Sequence, residues 1–111
     1  MPTIVRIPAT GSPVLVTAPE APSQQLSFFQ QQVDGYVEAV GTSFPDTQLY
    51  VDEDGIANGR SRNSNTEALD ALGLTLIEGD YIKGTAVVIS YDDEGDIIDV
   101  NPDVLEALGL R

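Results

Sequence analysis

Carboxylates grouped in two predicted turns are the side chains of this sequence most able to do chemistry. The turns are Asp52-Glu53-Asp54-Gly55 and Asp92-Asp93-Glu94-Gly95-Asp96. Hard cations such as Ca²⁺ prefer oxygen ligands, but neither turn has the alternating ligands and the twelfth-position glutamate of an EF-hand loop. Asp and Gly are also good turn formers. We therefore interpret both segments as turns, predict no cofactor and no resident metal, and keep weak calcium binding as an alternative.

Catalysis by carboxylates alone is the enzymatic alternative, because the chain contains no cysteine and no histidine. Their absence removes the thiol nucleophile, the usual general base at neutral pH and the commonest metal ligand. Tyr91-Asp92-Asp93 is superficially similar to the paired-aspartate hairpin of polymerases, but the chain is too short and too acidic for such a nucleotide site. A carboxylate pair could hydrolyse a glycoside, yet these carboxylates fall mostly on predicted turns and wet helix faces. We predict a protein that is not an enzyme.

Two further segments supply candidate binding residues. Arg60-Ser61-Arg62 and the following Asn63 form a local basic patch beside a predicted helix N-terminus, which could receive an anion or simply compensate nearby negative charge. Tyr36 and Glu38 share one face of a predicted strand. We expect Glu38 to form a structural ion pair with a basic residue, with a binding role as the alternative. The complete set of predicted binding residues is Tyr36, Glu38, Asp52, Asp54, Arg60, Arg62, Asn63, Asp92, Asp93 and Glu94.

The sequence is strongly acidic, with 18 Asp and Glu residues against five Lys and Arg residues and a formal net charge of −13. Affinity for a phosphate backbone comes from Lys and Arg, so we expect no direct binding to nucleic acid. Residues 1–33 contain only Arg6 and Glu20 as charged side chains, so 17 of the 18 carboxylates lie between Asp34 and Glu106. Such a surface serves solubility, and the alternative is a surface that imitates nucleic acid.

The length of 111 residues fits one domain, which we predict over 1–111. Within it, 1–22 forms an N-terminal hairpin, with strands Thr3–Ile7 and Val14–Thr17, and a Pro-rich connector that can enter neither a central strand nor a helix interior. The main α+β body is 23–111. The sequence contains no long apolar run, so we expect neither a secretory signal nor a membrane span, and a cytoplasmic location.

Three helices are predicted in the main body. Ser23 is the predicted N-cap of a helix over Gln24–Val33, whose buried stripe is Leu26, Phe29 and Val33. Ser64-Asn65-Thr66-Glu67 matches a capping box and starts a second helix of about two turns. Asn101 followed by Pro102 starts a third helix that runs through Leu108.

Four strands are predicted in the same part of the chain. Tyr36–Val40 and Thr47–Val51 form one hairpin, and Tyr81–Tyr91 forms a central strand that turns into Asp96–Val100. The predicted fold class is therefore α+β, a mixed, largely antiparallel sheet with two or three short helices packed on one face.

Several short motifs follow one another in a definite order. They are Asp34 to Val40, Leu49 to Gly55, the segment with Asn63 and Thr66, Gly84 to Val88, and Asp92 to Gly95. Their order resembles one uncharacterised domain family of phages, plasmids and bacteria, which is marked by a Gly-Tyr-Val/Ile-Glu motif and a Val-Asp-Glu-x-Gly turn. The resemblance covers roughly residues 24–100 and implies a phage or mobile-element accessory protein, with no activity to carry over.

We predict a noncatalytic module that binds a protein partner through the Tyr36 and Glu38 strand and the acidic turns. One alternative is a DNA mimic that inhibits a nucleic-acid enzyme, and its binding should weaken with salt. A second alternative is a weak divalent-metal-binding domain. The chain is expected to be a monomer or a dimer, because an exposed strand edge could pair two copies while the acidic charge would oppose their approach.

Overall fold

The computed structural model describes residues 1–54, 59–76 and 81–111. The strands in this part of the chain are β1 (Thr3–Ile7), β2 (Val14–Thr17), β3 (Val37–Gly41), β4 (Thr47–Asp52), β5 (Ala86–Tyr91) and β6 (Ile97–Ile98). The helices are α1 (Pro22–Val33), α2 (Thr66–Ala71) and α3 (Pro102–Ala107). Gly55, the last residue of the first predicted turn, lies outside the described residues.

The strands form one sheet in the order β2-β1-β5-β4-β3, and β6 pairs with the end of β5. All of these pairings are antiparallel. β5 is the central strand, as predicted, because its first five residues are buried and four of them are apolar. It begins at Ala86 rather than at the predicted Tyr81, since Gly84 has a positive φ of 75° that interrupts an extended strand. A strand that is apolar on both faces must be covered on both faces.

The two faces of the sheet have separate hydrophobic cores. On β5, Val87 and Ile89 point to the face covered by α1. The core on this face also includes Ile4 of β1 and Phe29 and Val33 of α1. The alternate residues of β5 point to the face covered by α2 and α3, where the buried set includes Val5, Ile7, Leu49, Leu69, Leu72, Ala86, Val88 and Val104. The predicted α+β class with an antiparallel sheet and short helices is confirmed. The helices divide between the two faces, whereas the sequence placed them on one, because burial of both faces of β5 requires cover on each side.

Helix α1 begins at Pro22 with Ala21 as its N-cap, and no side chain caps it. The predicted N-cap at Ser23 is wrong, because the helix starts one residue before Ser23, at Pro22. Proline is favoured at the first helical position, where its missing N–H group would have no partner within the helix. Phe29 and Val33 are buried as predicted, but Leu26 is 62% exposed. Leu26 therefore does not belong to the buried stripe of α1.

Helix α2 does not have the predicted capping box, since its N-cap is Asn65 and no side chain caps it. The Ser64 hydroxyl donates instead to the carbonyl oxygen of Ala9 at 2.7 Å. The Asn65 amide donates to the carbonyl oxygens of Pro8 and Gly11 at 2.8 and 2.7 Å. These polar side chains attach the start of α2 to the β1–β2 loop, and this long-range role prevails over the local one.

Helix α3 begins as the sequence predicts. The Asn101 side-chain oxygen accepts a hydrogen bond from the backbone N–H of Asp103 at 2.9 Å, and Pro102 occupies the first turn. This cap orients α3 so that Val104, which is fully buried, reaches the core.

Candidate functional site

Strand β3 lies at one edge of the sheet and carries the first two predicted binding residues. Tyr36, immediately before β3, is 67% exposed, and Glu38 is exposed on the strand. The prediction that Glu38 forms an ion pair is wrong for the described part of the chain, where the ion pairs join Arg60 to Asp34 and to Asp52.

The backbone of β3 has a free outer edge. The N–H of Glu53 donates to the carbonyl oxygen of Tyr36 at 2.7 Å, so the backbone polar groups of Tyr36 point toward β4. Antiparallel pairing alternates, so the backbone groups of Val37, Ala39 and Gly41 face away from β4. The Gly41 carbonyl accepts a hydrogen bond from Thr75 N–H at 2.9 Å, whereas no described residue bonds the outward groups of Val37 and Ala39.

Asp52, Asp54 and Arg60 come together as one structural cluster at the end of β4. The Asp52 side chain is only 1% exposed, and its Oδ2 atom lies 3.1 Å from the Nε atom of Arg60. Its Oδ1 atom accepts the backbone N–H of Asp54 at 3.0 Å. The Arg60 guanidinium also contacts Asp34, at 3.1 Å from the carboxylate and through the backbone carbonyl. The hydrogen bond to Asp52 and the nearby carboxylates raise the pKa of Arg60, so it stays charged.

The cluster is packed tightly against Gly35. A Cβ atom added at Gly35 would lie 2.4 Å from Oδ1 of Asp52, far inside van der Waals contact. Any larger side chain at this position would displace Asp52 from Arg60. The arrangement therefore joins the end of α1, the start of β3 and the end of β4. The Asp52 carboxylate forms its hydrogen bonds with groups of the protein itself.

Asn63 is an interior residue, with 1% of its surface exposed. Its side-chain amide donates to the carbonyl oxygens of Ile7 and Gly84 at 3.1 and 2.9 Å. Its side-chain oxygen accepts the backbone N–H of Asn65 at 2.9 Å. Asn63 therefore joins the end of β1, the segment before α2 and the segment before β5.

Arg62 lies beside a tyrosine and a lysine that the sequence analysis did not select as binding residues. Its guanidinium carbon is 4.9 Å from the ring centre of Tyr81, and the Nζ atom of Lys83 is 4.3 Å from the same ring centre. Arg62 and Lys83 also pair through their backbones as an isolated antiparallel bridge. Arg60 packs against Gly84, so three of the five Lys and Arg residues of the chain lie near the start of β5.

Asp92, Asp93 and Glu94 lie in the turn between β5 and β6, as predicted. The Asp92 carboxylate accepts backbone N–H groups from Glu94 and Asp96 at 2.9 and 3.0 Å, so it stabilises its own turn. This turn follows the end of β5, whereas the cations lie near its start, about 20 Å away along six residues of strand. The predicted binding residues thus occupy two opposite ends of the sheet.

Residues that sequence reasoning missed left only weak signals. Tyr81 and Lys83 alternate before the central strand, and Asp34-Gly35 follows α1 as an ordinary helix end. Nothing local says that Asp34 contacts Arg60, 26 residues later. Among residues 1–54, 59–76 and 81–111, no group of three or more Asp, Glu, His or Cys side chains is placed to hold a metal ion.

The described residues form a small α+β domain. The chain matches the family model described as a domain of unknown function (DUF3846) over residues 3–109, and it belongs to that family. No curated protein matches the chain, and no solved structure does. None of the helices in the described ranges is long and apolar enough to cross a membrane.

Proposed function

We propose that this protein is a noncatalytic interaction module that receives an extended segment of a protein partner on the outer edge of β3. The observation that carries the proposal is the pair of outward-facing backbone positions at Val37 and Ala39, which have no partner among the described residues. An extended segment can add to such an edge as another strand, with main-chain hydrogen bonds supplying affinity. Tyr36, 67% exposed beside this edge, supplies an aromatic anchor.

The opposite edge of the sheet, β2, is a poorer docking site. Strand β2 has only four residues and lies between Pro13 and Pro19. Proline has no N–H group and limits pairing beyond the strand, which is one way in which proteins protect an exposed edge. β3 has no proline within or immediately beside it. The structure therefore favours β3 as the edge that remains open to a partner.

The charge around β3 favours a basic partner segment. Glu38 is exposed on the strand, and Glu53 and Asp54 are exposed just after β4, beside the start of β3. Arg60, which lies beside the end of β4, already pairs with Asp34 and Asp52. Lys or Arg side chains on the partner would complement this acidic edge and accelerate association at low salt. The resemblance found in the sequence supports an accessory protein of a phage or mobile element, and the lack of a long apolar run supports its action in the cytoplasm.

A pair of proline variants tests the proposed edge. Ala39→Pro removes an outward-facing N–H group without removing a hydrogen bond to β4, and Thr17→Pro does the same on β2. Partners captured from bacterial lysate by the immobilised protein should be lost with Ala39→Pro and weakened with Tyr36→Ala, but retained with Thr17→Pro. Binding of the isolated partner should also slow hydrogen exchange at the amides of Val37 and Ala39. Capture that is unchanged by Ala39→Pro and Tyr36→Ala, or an eluate without any partner, would refute the proposal.

A DNA mimic is a second candidate function, supported by the separation of charge along the sheet. The backbone N–H of Tyr91 donates to the carbonyl oxygen of Asp46, which brings that residue to the acidic turn after β5. This end of the sheet therefore carries Asp46, Asp92, Asp93, Glu94 and Asp96. The discriminating measurement is competition: duplex DNA should displace a partner held by this end, and replacing Asp93 and Glu94 with Asn and Gln should weaken capture. A partner that is insensitive to DNA and to these substitutions supports the β3 edge instead.

A further inference from the structure

A cleft between α2 and the segment before β5 is a candidate site separate from the edge of β3. Its volume is about 320 Å³, near the lower limit of small-ligand pockets, which range from about 300 to 1,000 Å³. Leu69 and Ile82 line it and are almost fully buried, at 7% and 6% exposure. Its described polar lining residues are Arg62, Asn63, Thr66, Asp70 and Tyr81. Among the described residues, the cleft thus combines an apolar floor with a cation, a carboxylate and neutral polar side chains.

Arg62 is positioned in this cleft by its neighbours. Its guanidinium lies over the ring of Tyr81, at 4.9 Å from the ring centre, and its backbone pairs with that of Lys83. A cation over an aromatic ring is held electrostatically by the negative face of the ring. No carboxylate in the described part of the chain forms an ion pair with Arg62. The N–H groups along the edge of the guanidinium are therefore available to an acceptor, and a carboxylate matches their geometry in a bidentate manner.

We infer that this cleft binds a small monocarboxylate with an apolar side chain, the carboxylate on Arg62 and the apolar group against Leu69 and Ile82. A monoanion is favoured over a dianion such as a phosphate, because the chain has a net charge of −13 and Asp70 lines the same cleft. A free carboxylic acid and the C-terminal residue of a peptide share this chemistry. The inference does not depend on partner binding at the edge of β3.

The test is an NMR titration of the full chain with N-acetyl-leucine and, as a neutral control of the same shape, N-acetyl-leucinamide. N-acetyl-leucine should shift the amides around Arg62, Leu69 and Ile82 saturably, with a dissociation constant of about 1 mM, the affinity expected of about a dozen non-hydrogen atoms. Arg62→Gln should weaken binding by about tenfold or more, because a hydrogen bond to a charged group is lost. Arg62→Lys should recover part of that loss, and Arg6→Gln, an exposed arginine on β1, should have no effect.

A tripeptide distinguishes a free carboxylic acid from a peptide C-terminus as the ligand. N-acetyl-Gly-Gly-Leu binding at least tenfold more tightly than N-acetyl-leucine would identify a peptide C-terminus as the ligand, and equal affinities would identify a small acid. Equal shifts with the acid and the amide, no saturable shift with either, or undiminished binding to a folded Arg62→Gln variant would overturn the inference. Folding of each variant is verified from the dispersion of its amide spectrum.

Discussion

Replacement of Asn63 by alanine tests whether this predicted binding residue instead stabilises the fold. The sequence placed Asn63 in a basic patch that could bind an anion, whereas the structure buries it and directs its amide to the carbonyl oxygens of Ile7 and Gly84. Asn63→Ala should therefore lower the free energy of unfolding. If Asn63 serves mainly to bind a ligand, the same change would leave the unfolding transition in place.

The size of the effect follows from the hydrogen bonds removed. Asn63→Ala eliminates two bonds donated by the side chain and one accepted from the N–H of Asn65. Each such bond contributes about 1 kcal/mol net, and buried groups left without a partner add to the loss, so we expect about 3 kcal/mol of destabilisation. Total stabilities of natural domains are about 5–15 kcal/mol. At roughly 4 °C per kcal/mol for a domain of this length, Tm should fall by about 12 °C.

Thermal unfolding followed by circular dichroism measures this change. Gln31→Ala is the control, because Gln31 is exposed on α1 and the substitution should change stability by no more than about 0.5 kcal/mol. Urea titration of both variants then shows whether the loss of free energy agrees with the shift in Tm. A fall of less than about 3 °C for Asn63→Ala, or an equal fall for both variants, would show that the amide of Asn63 does not hold these three segments together.

Three further outcomes follow from single contacts. Gly35→Ala should destabilise the fold by about 1–3 kcal/mol in urea titrations, because its Cβ would lie 2.4 Å from Oδ1 of Asp52, and wild-type stability would show that the cluster relaxes freely. Burial, and to a lesser degree the neighbouring Tyr91, raise the pKa of Tyr50, so the folded state favours the neutral phenol. The free energy of unfolding should therefore decrease as the pH rises above about 10. Absorbance at 295 nm should show one tyrosine that ionises at higher pH than the others, and Tyr50→Phe should remove that signal. Asp92→Ala removes two hydrogen bonds to turn amides and should speed hydrogen exchange within the β5–β6 turn without changing exchange in β1, and unchanged exchange in the turn would contradict the role assigned to this carboxylate.

The predicted binding residues divide according to contacts that are distant in sequence. Asp52 and Glu38 are both acidic residues of predicted strands or their turns, yet Asp52 is buried against Arg60 and Glu38 is exposed. Register explains the difference, since Val37 lies opposite Asp52 in the β3–β4 pair and brings Gly35 close to the Asp52 carboxylate. A pattern of residue types along one strand does not contain that information.

What the sequence determined by itself is local. Alternation of apolar residues located the hairpins, the run from Ala86 to Ile89 identified the central strand, and Asn101-Pro102 located the start of α3, because each depends on neighbours a few residues apart. The strongly acidic composition is likewise a property of the sequence alone. Tertiary structure decided which polar side chains became interior partners, which strand kept an open edge and how the helices divided between the faces of the sheet. These features depend on segments that meet only after folding, as when Asn63 bonds to Ile7 across 56 residues of chain.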